Sequence, residues 1–201
     1  MGHSTPESVF EKHSQPETEP WLRGPLAGVH PLMAPALHSF IQVREDLARW
    51  TEGLTDEQIW SRPEGLAPVG FHLRHIAGSV ERLTAYMCGR DLTSEQLEAI
   101  PQEMDSTWNG SLLTRLRLLQ QVNEALRKSE QVMRALDPAT FEHPRSVGRK
   151  KLPTTVIGLV VHIAEHAQRH VGELVVTSKL ARRSESGRTS PRSLEVTGRT
   201  V

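Results

Sequence analysis

The chain has 201 residues, with 24 lysines and arginines balanced by 24 aspartates and glutamates, and one cysteine. That length suits a single domain with tails. The balanced charge and an aromatic content of 4 % exclude the basic field and base-stacking platforms of a nucleic-acid binder. Cys88 alone makes neither an intramolecular disulfide framework nor a thiolate zinc finger.

No run of about 18 apolar residues appears, and Met1 to Pro20 is acidic and polar, so neither a membrane span nor a signal peptide is expected. A cytoplasmic protein follows. Residues 1–20, with three prolines and four glutamates, and residues 182–201, rich in serine, threonine and arginine, are expected to be disordered tails around a helical domain at 21–181.

Between the tails, four long segments carry apolar residues every three or four positions, and no comparable strand alternation appears. The first runs from about Pro35 to Trp50, with Leu37, Phe40, Ile41, Leu47 and Ala48 on one side. The second runs from Val69 to Met87 and stops at Cys88-Gly89. The third starts near Ser111 as N-cap, carries Leu112, Leu116, Leu119, Leu126, Met133 and Leu136, and closes at Asp137-Pro138. The fourth follows Pro153 and continues to about Leu180. Thr55-Asp56-Glu57-Gln58 and Thr93-Ser94-Glu95-Gln96 both read as capping boxes, which places short helices in the connections. An all-α four-helix bundle results.

Ten histidines make the chemistry of this chain. On the fourth helix, His162, His166 and His170 follow at four-residue spacing, a drift of only about 40° per step. On that wheel His166 and His170 share the inward face with Leu159, Ile163 and Leu174, whereas His162 lies at its border. Two imidazoles at i and i+4 can hold one metal from a single helix, and a third ligand is then needed from elsewhere. The second helix offers His72 and His75, of which periodicity favours His72. The alternative is a pair of core histidines, which would need a partner for every ring nitrogen.

His75-Ile76-Ala77, within Gly70-Phe71-His72-Leu73-Arg74-His75-Ile76-Ala77-Gly78, together with His166 and His170-Val171-Gly172-Glu173-Leu174, resembles the DinB-like family over about Trp21 to Leu180. The resemblance implies a bundle of the DinB/YfiT-like type that binds zinc, nickel or a related ion through His75, His166 and His170. His72 then becomes a neighbour of the ligands or a core residue. Glu173 stands where many relatives carry glutamine. The resemblance also implies metal-dependent transfer of a small-molecule thiol to an electrophile, or hydrolysis, and a possible homodimer.

Arg74 beside His75 and the basic loop of Arg145, Arg149, Lys150 and Lys151 are candidates to attract the carboxylates of such a thiol. Tyr86, Glu165 and Glu173 are candidate acid–base groups. Two other readings compete. One is a metal that only staples the helices without turnover. The other is a zinc protease of the His-x-x-Glu-His kind, His162-Ile163-Ala164-Glu165-His166, which would leave His170 idle.

Overall fold

The computed structural model describes residues 18–108 and 110–186. Of the tails expected over 1–20 and 182–201, residues 1–17 and 187–201 lie outside the described residues, while 182–186 continue α6. Four long helices, α1 (Ala34–Thr51), α3 (Val69–Met87), α5 (Arg115–Arg134) and α6 (Val156–Ser186), carry the fold. Short helices α2 (Asp56–Trp60) and α4 (Ser94–Ala99) sit in the connections. Both begin with the expected capping boxes: the threonine side chain accepts from the backbone N–H of the glutamine three residues on, whose side chain accepts from the threonine N–H.

Two small antiparallel hairpins complete the chain, β1 (Thr107–Trp108) with β2 (Ser111–Leu112) and β3 (Pro144–Val147) with β4 (Leu152–Thr155). The first corrects the expected start of the third long helix. Ser111 and Leu112 pair with Trp108 and Thr107, and the helix begins only after Thr114, whose hydroxyl accepts from the Arg117 N–H. The apolar stripe shifts accordingly: Leu118, Val122, Leu126 and Met133 are buried, whereas Leu112 and Leu116 face solvent. In α1 the expected Ala48 is exposed and Val43 takes the core position instead. Helix α6 runs past the expected end at Leu180 to Ser186, because no proline or glycine interrupts it there.

Leu37, Phe40 and Leu47 of α1, Leu73, Ile76 and Val80 of α3, and Leu159, Ile163 and Leu174 of α6 meet the α5 stripe in one core. Each such side chain contributes about 1.5–3 kcal/mol by leaving water. Helices α1 and α3 are neighbours in the sequence of long helices but sit diagonally. Each packs on α5 and α6, and α3 makes its most extensive contacts with those two. That order puts α6 beside α3, and so puts their histidines in one groove.

Trp60 locks the N-terminal end of α3. Its indole N–H donates to the Leu113 carbonyl over 2.8 Å, and its ring lies so close to Gly70 that a Cβ there would come within 2.7 Å of ring carbons. Gly70→Ala gains helix propensity yet must displace a large rigid ring. It should therefore destabilise the protein by about 1–3 kcal/mol in urea unfolding; an unchanged midpoint would contradict this account.

Candidate metal centre

Helix α3 presents His72 and His75 three residues apart, and α6 presents His166 and His170 four apart, so facing helices bring the four rings together. His75 Nε2 lies 2.9 Å from His166 Nε2. The His75 ring centroid lies 4.4 Å from that of His170, and the His166 centroid 4.8 Å from it. One ring nitrogen from each of His75, His166 and His170 can be chosen so that all lie within 4.8 Å of one another. Tetrahedral ligation at about 2.0–2.1 Å sets ligand nitrogens about 3.3 Å apart, so the His75–His166 pair need only open slightly from 2.9 Å, and the set as a whole lies within reach of a small divalent ion.

His72 is the buried one, 2 % exposed, and its Nδ1 lies 3.2 Å from His170 Nδ1. The apolar period therefore picked the more buried imidazole of α3, while His75, at the edge, faces His166. Glu173 reaches both rings, its Oε2 lying 3.5 Å from His170 Nδ1 and 3.6 Å from His72 Nδ1. His72, His170 and Glu173 form a second set close enough to share an ion. Because His170 belongs to both sets, they are adjoining parts of one cluster.

A residue that the sequence did not single out completes the site. Glu103 lies in a 3₁₀ turn, Pro101–Met104, that packs against α3. Its Oε2 is 2.6 Å from His75 Nδ1 and its Oε1 is 2.8 Å from Arg82 Nη1. Arg74 fastens that turn by donating to the carbonyl of Gln102 and, over 2.7 Å, to that of Asp105. A carboxylate behind a histidine fixes which nitrogen carries the proton and leaves Nε2 as the free donor. Nothing local to Pro101-Gln102-Glu103-Met104 signals this role.

The other expected groups lie elsewhere. His162 is half-exposed and pairs with Glu165 over 3.2 Å on the outer face of α6, and it belongs to neither ion-sized set among the described residues. The His162 ring centroid stands 5.4 Å from that of His166, but no third ligand joins this pair among the described residues, which leaves the His-x-x-Glu-His reading without a complete site. The basic loop is the β3–β4 hairpin at the far end of α3, where Arg145 Nε donates to the Met87 carbonyl over 2.8 Å and Lys151 pairs with Asp91 over 2.7 Å. Met87 is twelve residues beyond His75, or about 18 Å along the helix. Tyr86 lines a pocket beside that hairpin. Arg74 is buried and turned toward the Pro101–Met104 turn. None of these is placed to receive a substrate at the histidines.

Burial, joined by the nearby His170 and His75, holds His72 at about 4. His166 is held at about 4 first by burial, then by His170, His75 and Arg169, and burial with His75 also lowers His170. Burial alone would raise the Glu103 pKa, but the N–H groups of His75 and Arg82 outweigh it and hold it below the usual glutamate range. Near pH 7 these three rings are neutral, the form that binds metals.

The fold and this cluster define a helical-bundle protein with histidines gathered from two helices in a single groove. The profile of the DinB superfamily matches residues 39–174, and the chain belongs to that superfamily. Among solved structures it is similar to YfiT from Bacillus subtilis, described as a probable metal-dependent hydrolase with an unusual four-helix bundle topology. The two share 15 % sequence identity over 81 % of this chain and 93 % of that one, with a TM-score of 0.56. No curated protein matches the chain. Among the described residues, no helix is long and apolar enough to cross a membrane.

A histidine whose folded pKa is about 4 takes up a proton at higher pH when unfolded, near 6.5. Its stabilising effect is complete above about pH 6.5 and is lost as pH falls from there to about 4. Chelator-treated protein should therefore melt at progressively lower temperature across that interval. His166→Asn, which cannot titrate, should show a shallower decline; parallel curves for the two proteins would contradict the assignment.

Proposed function

We propose that this protein is a divalent-metal-dependent enzyme acting on small molecules, with His75, His166 and His170 as ligands and zinc or nickel as the ion. The observation that carries the reading is the convergence of these three rings in the groove between α3 and α6, with Glu103 behind His75. Three protein ligands leave a position free. An ion bound there supplies Lewis acidity, acidifying a water or a small-molecule thiol and polarising an electrophile. The reaction class is hydrolysis or thiol transfer, and the description of YfiT as a probable metal-dependent hydrolase supports the hydrolytic half of that reading.

The chain's own groups divide the work. Glu103 accepts from His75 Nδ1 and so aims Nε2 at the centre. His72, buried against His170, holds that ring in place. Glu173, with its side chain about half exposed and 3.5 Å from His170, is the carboxylate assigned to take the proton from the incoming water or thiol.

Arg169 opposes metal uptake. A guanidinium only donates, so Arg169 Nη2 at 2.5 Å makes His166 Nδ1 an acceptor and leaves the His166 proton on Nε2, facing His75. The donor order then runs Arg169, His166, His75, Glu103. Ligation through His166 Nε2 requires Arg169 to turn away, so that the ring proton can sit on Nδ1 and leave Nε2 its lone pair.

Elemental analysis of untagged protein should find about one equivalent of metal, lost in each of His75→Ala, His166→Ala and His170→Ala; no metal after reconstitution would refute the centre. Glu103→Gln should bind zinc about 10- to 100-fold more weakly. Arg169→Gln should bind it about five- to tenfold more tightly at low salt. Metal uptake with no turnover of thiols, electrophiles or esters would leave the ion as a staple of the helices.

A further inference from the structure

An open cavity of about 690 Å³ lies between α3 and α5, bordered by Glu103 of the Pro101–Met104 turn and by Trp108. Its size is that of a small-molecule site. It meets the histidine cluster at one residue only, Glu103, and from the other oxygen: Oε2 faces His75 Nδ1, while Oε1 faces Arg82. Since His75 turns its Nε2 toward His166, the cavity lies behind the His75 ring, away from the position a metal would take.

The lining is built for charge. Arg74 is 9 % exposed, and the Arg82 side chain is 11 % exposed. Gly78 makes room for Arg82 and Glu103, because a Cβ there would stand 2.6 Å from Arg82 Nη1 and 2.7 Å from Glu103 Oε1. Arg82 is answered by Glu103, and Arg127 by Glu124 over 2.8 Å. Among the described residues, Arg74 donates to backbone carbonyls alone. The Glu103 and Asp105 carboxylates act on it from a distance, and burial lowers its pKa, as expected for a guanidinium short of solvent. Arg117, on the opposite wall, has no ion pair among the described residues. Four arginines face three glutamates, one net positive charge. Trp108, 44 % exposed, lies 5.6 Å from the Arg74 guanidinium and offers an aromatic surface.

We propose that this cavity is a second binding site, distinct from the histidine cluster, for a small monoanion that joins a carboxylate to a planar apolar group. Arg74 and Arg117 answer the carboxylate and Trp108 takes the plane. One net charge suits a monoanion better than a phosphate dianion, which would meet Glu81 and Glu124 at the walls. A partly desolvated guanidinium without a carboxylate in contact gains most from such a guest. This site goes beyond the proposed metal chemistry and stands whether or not that centre turns over.

The test is titration of the full chain, chelated to remove metal, with benzoate while tryptophan fluorescence is followed. The comparators are neutral benzamide and dianionic phenyl phosphate. Benzoate should give a saturable change that disappears in Trp108→Phe. Arg117→Gln, a change at an exposed position, should weaken binding about tenfold; Arg74→Gln should do the same, with its melting curve recorded to show that it folds. Benzamide should not saturate, and phenyl phosphate should bind more weakly than benzoate. The absence of saturation with benzoate at tens of millimolar, equal binding of benzamide, or an unchanged curve in Arg117→Gln would each overturn the proposal.

Discussion

A buried carboxylate stays ionised only when donors surround it, and Glu103, 6 % exposed, has two: the Nδ1–H of His75 and the guanidinium of Arg82. Much of the site depends on that arrangement. The turn that carries Glu103 is held to α3 by Arg74, a residue adjacent to His75 in sequence but on another side of the helix. Gly78 lacks the side chain that would push Arg82 and Glu103 apart. Sequence thus acts on the site twice from one helix, through a ligand candidate and through the residues that hold its carboxylate.

The histidines impose a second constraint. Four imidazoles sharing a half-buried groove cannot all be charged, and burial with their mutual proximity keeps His72, His166 and His170 neutral near pH 7. A neutral imidazole has one donor and one acceptor, so each ring must find matching partners. The chain from Arg169 through His166 and His75 to Glu103 is such a match. It also links a solvent-facing cation to a buried anion, so a change at either end reaches the rings between.

Two readings of the sequence take their meaning only from the tertiary structure. Apolar spacing favoured His72 over His75, and His72 is the more buried; yet both rings meet α6, His72 at His170 and His75 at His166, so burial alone does not separate them. The basic hairpin near Arg145, in the loop before α6, was a candidate to attract a substrate carboxylate. Yet α6 enters the bundle beside the far end of α3, a few turns from His75, and the arginine there ties down the end of that helix at Met87. Closeness in sequence to a helix says nothing about which of its turns a loop will reach.

The sequence by itself determined the four long helices, since period and caps are local properties: Val69–Met87 and both capping boxes follow from residues within a few positions of one another. It also marked His166 and His170 as a pair, because i, i+4 spacing on one helix needs no partner to be read. The choice of His75 came from resemblance to the DinB-like family, not from the wheel. Only the tertiary structure decided that α6 packs beside α3, that Ser111 and Leu112 join a hairpin with β1, and that Glu103 arrives from 28 residues away behind His75. The reason is physical: helix order, hairpin pairing and the capture of a lone carboxylate are set by which distant surfaces exclude water together, and no local pattern carries that information.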